Sequence, residues 1–255
     1  MRALAVAGAV IVALAGALVA FAPASLVSSR VEPLASGRVR LVANEGTLWS
    51  GQAIAVLGDG ALRMPVAWRV EPWPLLRGEA RIALAPPADA TGAPRGRVVL
   101  AAGRTSVEAL EFSLPAAAAA ALVSARQTAP LVRAGGNVTV RVDDLVIGHA
   151  IERGSVRLEW RDARLAEAAH AAIELGTITA SLAARAGALA GPIVGRDGAI
   201  RIDGETSLGP AGARIAARLA PEPAANAAVR QVLSRLGPPA ADGSVSISLA
   251  GSLPR

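Results

Sequence analysis

Residues 138–160 read VTVRVDDLVIGHAIERGSVRLEW and carry the clearest structural signal in the chain. Val138, Val140 and Val142 alternate with polar side chains, and the last six residues repeat the pattern up to Trp160. Strict alternation of apolar and polar side chains is typical of a β-strand with one buried and one wet face. The stretch therefore predicts two strands of an antiparallel sheet that is covered on one side.

The same alternation recurs before and after this stretch, and turn-forming sequences separate the runs. The apolar positions of the further predicted strands are Val39, Leu41, Ile82, Leu84, Ile178, Ala180, Leu182, Ile200, Ile202, Ile215, Leu219, Val245, Ile247 and Leu249. The predicted turns are Gly58-Asp59-Gly60, Gly135-Gly136-Asn137, Arg196-Asp197-Gly198 and Asp242-Gly243. We expect a mainly β domain, arranged as an antiparallel meander, a sandwich or an open barrel, with one or two short helices.

Two segments have helical features. Between Asn226 and Leu236 the apolar residues share one face, and Gly237 with the two prolines behind it ends the pattern. A second helix is predicted to begin near Pro115, with Ser113 as its cap, and to continue to Arg126. Residues 163–175 leave helix and loop open as alternatives, because they are rich in alanine but lie between two predicted strands.

The amino-terminal residues 3–22 contain no charged or strongly polar side chain. Twenty residues in a helix span about 30 Å, the thickness of the hydrocarbon core of a bilayer. Arg2 precedes this run and Pro23 ends it, so we expect a single membrane-spanning helix with a cytoplasmic amino terminus. The alternative is a cleaved signal peptide that ends before Ser25. Both interpretations place the rest of the chain outside the cytoplasm.

These boundaries predict three parts of the chain. Residues 1–24 form the transmembrane anchor, residues 25–36 a linker, and residues 37–255 a periplasmic β-rich domain. A faint internal repeat lies within the domain, since residues 62–84 and residues 156–183 both read as a strand ending in Trp-Arg, an irregular stretch and a further strand. The repeat suggests a sheet of two lobes built from duplicated units.

The composition narrows the classes of function. All 26 basic residues are arginine, and the net charge is +6. The arginines are scattered and are not interleaved with aromatic residues, so we expect no nucleic-acid partner. Cysteine is absent, which excludes thiolate nucleophiles and cysteine metal sites.

We find no pattern of an enzyme. His149 and His170 are the only histidines, and neither has the spacing of a metal ligand pair. The chain has no G-x-S-x-G motif, and without lysine it cannot form a P-loop. Asp143 and Asp144 are neighbours in a predicted strand and would point to opposite faces. We therefore expect a non-enzymatic protein with no cofactor and no metal.

Two tryptophan segments are candidate contact sites. The first is Gly46-Thr47-Leu48-Trp49-Ser50-Gly51, where a rare tryptophan lies between two glycines. The second is Trp68 together with Pro72-Trp73-Pro74-Leu75-Leu76, in which the prolines forbid regular strand pairing. Each segment is either a core element beside a turn or a docking surface, since tryptophan serves both purposes.

These segments resemble the type II secretion system protein N family (general secretion pathway protein N). The residues that carry the resemblance follow the apolar amino terminus in the order Gly46 to Gly51, Trp68, Pro72 to Leu76, Gly78, Asn226, Gln231 to Gly237, Asp242-Gly243 and Gly251. Residues 86–135 contribute nothing to it. The family has no catalytic residues to transfer to this chain.

The resemblance implies a subunit of the machine that exports folded proteins across the outer membrane of diderm bacteria. It implies a single-pass protein of the inner membrane with a periplasmic β-rich domain and no catalytic activity. The expected partners are the inner-membrane platform subunits and the outer-membrane secretin. The alternative is a periplasmic lipid-binding or lipid-bridging protein, which would need a long apolar sheet face that stays open.

Overall fold

The computed structural model describes residues 23–25, 39–57, 60, 62–87, 90–124, 132–167, 172–210, 212–223, 225 and 227–251. The predicted anchor lies outside these residues except for Pro23 and Ala24, and the predicted linker except for Ser25. Within the described part of the chain, no helix is long and apolar enough to cross a membrane. The chain divides into two compact units, Met1–Ala93 and Pro94–Arg255.

The first unit contains an antiparallel meander in which each strand pairs with the next along the chain. Its elements are β1 (Val39–Gly46), β2 (Ser50–Leu57), β3 (Leu62–Glu71), α1 (Pro72–Leu75) and β4 (Ala80–Leu84). The two prolines of α1 end strand pairing, as predicted, and produce a single helical turn between β3 and β4.

The core of the first unit lies on one face of this meander. Ala24, Ala53 and Trp68 are buried there, and half-buried apolar side chains from β1, β3 and β4 pack against them. Trp68 is the largest side chain of this cluster, and its other fully buried members are alanines. The stability of the unit therefore depends heavily on this one aromatic side chain.

The described residues of the second unit form nine antiparallel strands, again paired in chain order. Its elements are β5 (Arg95–Ala101), β6 (Arg104–Pro115), α2 (Ala116–Ser124), β7 (Val132–Ile147), β8 (Ile151–Glu167), β9 (Ile173–Arg185), β10 (Ala188–Arg196), β11 (Ile200–Gly209), β12 (Gly212–Pro221), α3 (Ala227–Leu236) and β13 (Val245–Gly251). The predicted mainly β class is confirmed, and within each unit the described strands form a meander.

Apolar side chains occupy one face of the strands β6–β13 in the second unit, as the alternation predicts. The register places these residues in one row across eight strands: Leu114, Val138, Trp160, Ile178, Gly195, Ile202, Leu219 and Val245. The helix α3 covers the end of the row, where Val229 and Leu233 pack against the sheet. Leu233 and Val245 are each only 1% exposed, so this is the most completely buried part of the unit.

The opposite face of these strands in the second unit is exposed to solvent and charged. Its arginines pair with carboxylates, as in the cross-strand pair of Arg141 Nη2 and Glu111 Oε1 at 3.2 Å. Arg196 and Asp203 make a similar pair at 2.8 Å. Exposed pairs of this kind contribute little to stability. In each of these pairs the carboxylate neutralises the guanidinium charge locally.

Some local predictions need correction. Ser113 is not a helix cap, because it lies in β6 and hydrogen-bonds Thr139 across the sheet at 2.8 Å; the helix begins at Ala116, after the strand. Gly135-Gly136-Asn137 is not a hairpin turn but a bulge inside β7. Residues 163–175 are neither helix nor simple loop, because β8 continues to Glu167 and β9 begins at Ile173.

The remaining predicted turns and the predicted carboxyl-terminal helix are confirmed where the structure describes them. Arg196-Asp197-Gly198 joins β10 to β11, and Asp242-Gly243 precedes β13. The predicted helix at 226–236 is α3, which ends at Leu236. Gly58 and Asp59 of the remaining predicted turn lie outside the described residues.

Candidate functional site

The segment Gly46–Gly51 forms the tight connection between β1 and β2. The N–H of Thr47 donates to the carbonyl of Ser50 at 2.9 Å, and the N–H of Ser50 donates to Thr47 Oγ1 at 3.2 Å. Gly46 has a φ of +87°, and a Cβ there would lie 2.5 Å from the Ser50 oxygen. Only glycine fits this position without strain. Thr47 and Ser50 therefore close the turn, and Gly46 permits it.

Trp68 locks this turn onto β3. Its indole is 6% exposed, and its Nε1–H donates to the Leu48 carbonyl at 3.1 Å. Gly51 is the cross-strand partner of Trp68, and a Cβ on Gly51 would lie 2.7 Å from Trp68 Cζ2. The second glycine of the motif is thus required by a tryptophan seventeen positions away. The structure brings Gly46, Leu48, Gly51 and Trp68 into one packing unit.

Ala24 also packs against the Gly46–Gly51 turn and Trp68, a contact that was not predicted from the sequence. Its N–H donates to the Gly46 carbonyl at 3.3 Å, and Pro23 forms an antiparallel bridge with Thr47. The side chain of Ala24 is 2% exposed and packs with Trp68. The chain therefore enters the first unit at the Gly46–Gly51 turn, two residues after the apolar run 3–22 ends. The small size of Ala24, directly after a proline, is the only signal of this in the sequence.

Trp49 lies at the tip of the turn and is half-buried. Its carbonyl accepts the N–H of Val70 at 2.7 Å, so its backbone also fastens the turn to β3. The role of its side chain in contacting a partner stays a prediction.

Trp73 is placed very differently from the other tryptophans of the described chain. It is 79% exposed on α1, and the adjoining Leu76 is 81% exposed. Leu75 is 39% exposed, whereas Pro74 turns inward and is buried. We call Trp73, Leu75 and Leu76 the α1 patch. Trp73 does not join Trp68 in the core, so the two tryptophans that the sequence grouped together have separate roles.

The faint repeat has a counterpart in hydrogen bonding. Trp160 donates its Nε1–H to the Gly135 carbonyl at 2.8 Å, and its cross-strand partner is Val138. Trp68 likewise donates to a carbonyl three residues before its own partner on the preceding strand. In both places the indole secures an irregular backbone, a turn in one case and a bulge in the other.

The motif Asp242-Gly243, near the carboxyl-terminal end of the resemblance, positions the start of β13. The carboxylate of Asp242 accepts hydrogen bonds from the backbone N–H and the hydroxyl of Ser244, at 3.1 and 2.6 Å, and from the guanidinium of Arg218 on β12. These bonds, those from Ser244 above all, hold the pKa of Asp242 at about 2, below its ordinary 3.8. Gly243 has a φ of +78°, which completes the turn. The motif thus positions the last strand of the sheet.

A shallow cleft of about 540 Å³ lies beside Trp68, and its polar lining is Glu45, Ser50, Gln52 and Arg69. The side-chain amide of Gln52 donates a hydrogen bond to the carboxylate of Glu45 at 2.7 Å. Among the described residues, no three His, Asp or Glu side chains converge as metal ligands. His149 is exposed, and His170 lies outside the described residues. The hydrogen bonds at the Gly46–Gly51 turn and at Asp242 serve packing and the positioning of strands.

Comparison with known proteins agrees with this picture. The family model described as Type II secretion system (T2SS), protein N matches residues 37–248, most of the chain. No curated protein and no solved structure gives a significant match. The family is a structural component of the secretion machinery and is not known as an enzyme, and membership implies interaction with other components of that system. This chain therefore belongs to the type II secretion system protein N family.

Proposed function

We propose that this chain is a non-enzymatic adaptor subunit of a type II secretion system and supports export of folded proteins across the outer membrane. Residues 3–22 anchor it in the inner membrane, with the amino terminus in the cytoplasm, and both β units lie in the periplasm. Its partners are the inner-membrane platform subunits and the outer-membrane secretin. The contact we assign to these partners is strand addition at β13.

The observation that carries this assignment is the character of the β13 edge. Within its unit, β13 pairs with β12 alone among the described strands. Its seven residues include no charge and no proline, and Leu249 is 59% exposed. Natural edge strands are usually protected by charges, prolines or bulges, because a bare edge pairs with other chains. An unprotected edge that a dedicated hydrogen-bond network positions is suited to receiving a strand from a partner.

The first strand of the chain offers a useful contrast. β1 carries Arg40 and Glu45, and its pairing with β2 is interrupted between Val42 and Glu45, where Ala43 has a φ of +53°. Charges and a bulge are the usual protection of an edge. The two terminal strands are therefore built differently, which supports β13 rather than β1 as the edge that a partner extends.

The lipid-carrier alternative has less support. A carrier for acyl chains needs a continuous open apolar face, whereas α3 covers the end of the apolar row with Val229 and Leu233, where side chains are the most buried of the unit. Among described residues of the second unit, the large apolar side chains that are exposed are Leu100, Ile147, Leu236 and Leu249. These lie on β5, at the end of β7, at the end of α3 and on β13, so they do not form a trough.

A proline scan of β13 tests the proposal. Successive residues of an antiparallel strand direct their N–H groups alternately toward and away from the neighbouring strand. One of the variants Ser248→Pro and Leu249→Pro therefore removes an outward N–H and leaves the pairing with β12 intact. The other removes a ladder hydrogen bond and costs about 1–3 kcal/mol of stability. Both side chains are exposed, so core packing does not distinguish the two variants.

The measurements are thermal stability of the purified chain and secretion of an exported protein by cells that carry each variant. We expect the variant with near-normal stability to abolish secretion and to lose crosslinks to platform or secretin subunits. Normal secretion by that stable variant would exclude strand addition at β13. Normal secretion after deletion of the whole gene would exclude the adaptor function itself.

A further inference from the structure

We propose that the α1 patch is a second membrane contact, which lies in the headgroup region of the bilayer that residues 3–22 cross. The inference rests on the proposed anchoring of the chain and adds to it a surface that sets how the first unit stands on the membrane. The occupant of the patch is the lipid surface itself.

The α1 patch is strongly exposed to solvent. Trp73 and Leu76 are about four-fifths exposed, and Leu75 joins them on the same short turn. The chain has only four tryptophans, and Trp68 and Trp160 are both hydrogen-bonded and packed in their units. A contiguous apolar cluster on the surface marks a site of contact more often than a single exposed leucine does.

The α1 patch lies close to the point where the proposed anchor joins the first unit. Ala24 donates a hydrogen bond to the Gly46 carbonyl, and the proposed anchor ends only two residues before Ala24 in the chain, so the chain leaves the anchor beside the Gly46–Gly51 turn. The N–H of Val70 is bonded to Trp49 in that turn, and α1 begins two residues after Val70. The patch and the entry point of the anchor therefore lie at the same end of the first unit.

The register of the strands agrees with this placement. Ser50 pairs with Arg69 and Glu71 pairs with Arg81, so the β1–β2 turn and the β3–β4 connection share one end of the meander. The other end carries the start of β3, where Arg63 pairs with Val56. Residues 63 and 71 are eight positions apart on one strand, a separation of roughly 26 Å. One end of the unit is thus near the membrane and the other well clear of it.

The chemistry of the patch fits the interfacial region of a bilayer. Tryptophan prefers this region because its ring is apolar and its N–H is polar. Arg77 follows the patch directly and is exposed, which places a cation where anionic headgroups lie. Three side chains also offer far less than the roughly 800 Å² that each partner contributes to a stable protein interface. Shallow insertion into lipid requires no such area.

Site-specific fluorescence tests the inference on the full chain. Because the chain has no cysteine, Leu76→Cys and Arg63→Cys each create a single labelling site, and both positions are exposed. Each variant is labelled with an environment-sensitive fluorophore and reconstituted into liposomes of phosphatidylethanolamine and phosphatidylglycerol. We expect the Leu76 probe to lose quenching by aqueous iodide and to be quenched by lipids spin-labelled near the headgroup. The Arg63 probe, the matched control, stays accessible to iodide.

Flotation of the same liposomes after an alkaline wash distinguishes failure of the lipid contact at the α1 patch from failure of the proposed anchoring by residues 3–22. If the chain floats and the Leu76 probe is as accessible to iodide as the Arg63 probe, the patch does not contact lipid and the anchor stands. If the chain does not float, the anchoring is wrong and the inference falls with it. A Leu76 probe that stays in water in pure lipid and is shielded only when platform subunits are added would overturn the inference in favour of a protein partner.

Discussion

Replacement of Gly51 by alanine tests whether Trp68 locks the Gly46–Gly51 turn. The new Cβ would lie 2.7 Å from Trp68 Cζ2, 2.7 Å from the Glu45 carbonyl oxygen and 3.0 Å from that of Thr47. Carbon atoms pack at about 3.5–4.0 Å, so the indole must retreat by about 1 Å. The Nε1–H hydrogen bond to Leu48, now 3.1 Å, is lost in that retreat. Overpacking and the lost hydrogen bond together predict a destabilisation of about 2–4 kcal/mol.

The assay is hydrogen exchange of peptides from β2 and β3 as a function of urea, on the full chain in detergent micelles. These peptides report the opening of the first unit alone. A double-mutant cycle with Trp68→Leu isolates the contribution of the ring, because the backbone clashes persist when the indole is gone. We expect Gly51→Ala to cost at least about 1 kcal/mol less in the Trp68→Leu background than in the parent chain.

The proposed lock between Trp68 and the turn is refuted if Gly51→Ala lowers the free energy of unfolding equally in both backgrounds, within about 0.5 kcal/mol. The glycine would then be required only by the backbone of the turn. The proposed lock is also refuted if Gly51→Ala is neutral in the parent chain, since the turn would then have room that the structure does not show.

Three further predictions concern the second unit. Trp160→Phe keeps an aromatic ring but leaves the Gly135 carbonyl without its donor, so exchange of β7 and β8 peptides should show a loss of about 1–3 kcal/mol; an unchanged value would mean that the bulge needs no indole. Leu233→Ala should cost about 2–5 kcal/mol because the side chain is 1% exposed, whereas Leu236→Ala, 54% exposed on the same helix, should change urea unfolding by less than about 0.5 kcal/mol. The pKa of Asp242 is lower in the folded chain, at about 2, than its ordinary 3.8, so its contribution to stability is present above pH 3.8 and is lost as the pH falls toward 2. Asp242→Asn should therefore lower the urea midpoint at pH 5 and narrow its difference from the parent chain toward pH 2; a constant difference would contradict the assignment.

The strands of the second unit were predictable because alternation is a local property. Val138 to Val142 and Ser155 to Trp160 show their buried face without any knowledge of their neighbours. The helix α3 was predictable for the same reason, since its apolar face and its glycine stop lie within one short segment. The mainly β class therefore follows from short-range pattern, whereas the pattern left meander, sandwich and open barrel as alternatives.

The bulges could not be predicted in this way. Gly135 and Gly136 read as a turn, yet they continue β7, because β8 supplies Trp160 to hold the irregular backbone. Residues 95–115 lack a strict alternation, and the strands β5 and β6 that occupy them were not foreseen. Their pairing is interrupted between Arg95 and Arg97, which explains why the pattern of side chains slips.

The candidate site was predictable in its residues and not in its geometry. Rarity of tryptophan and the flanking glycines singled out the Gly46–Gly51 segment, but the reason for Gly51 lies in Trp68, which only cross-strand pairing brings close. The contribution of Ala24 depends on the fold bringing it to Gly46. Sequence pattern identified Trp68 and Trp73 together, and only burial separates the core residue from the exposed one.

The strictly sequential pairing of the strands has a consequence for biogenesis. In each unit every strand finds its partner in the strand that was made just before it, so pairing requires only the closing of short loops. A chain that emerges from a translocation channel amino terminus first can therefore add strands in the order in which they appear. The first unit can close around Trp68 before the later strands emerge, and β13, the edge without charges, is the last of the described strands to be added.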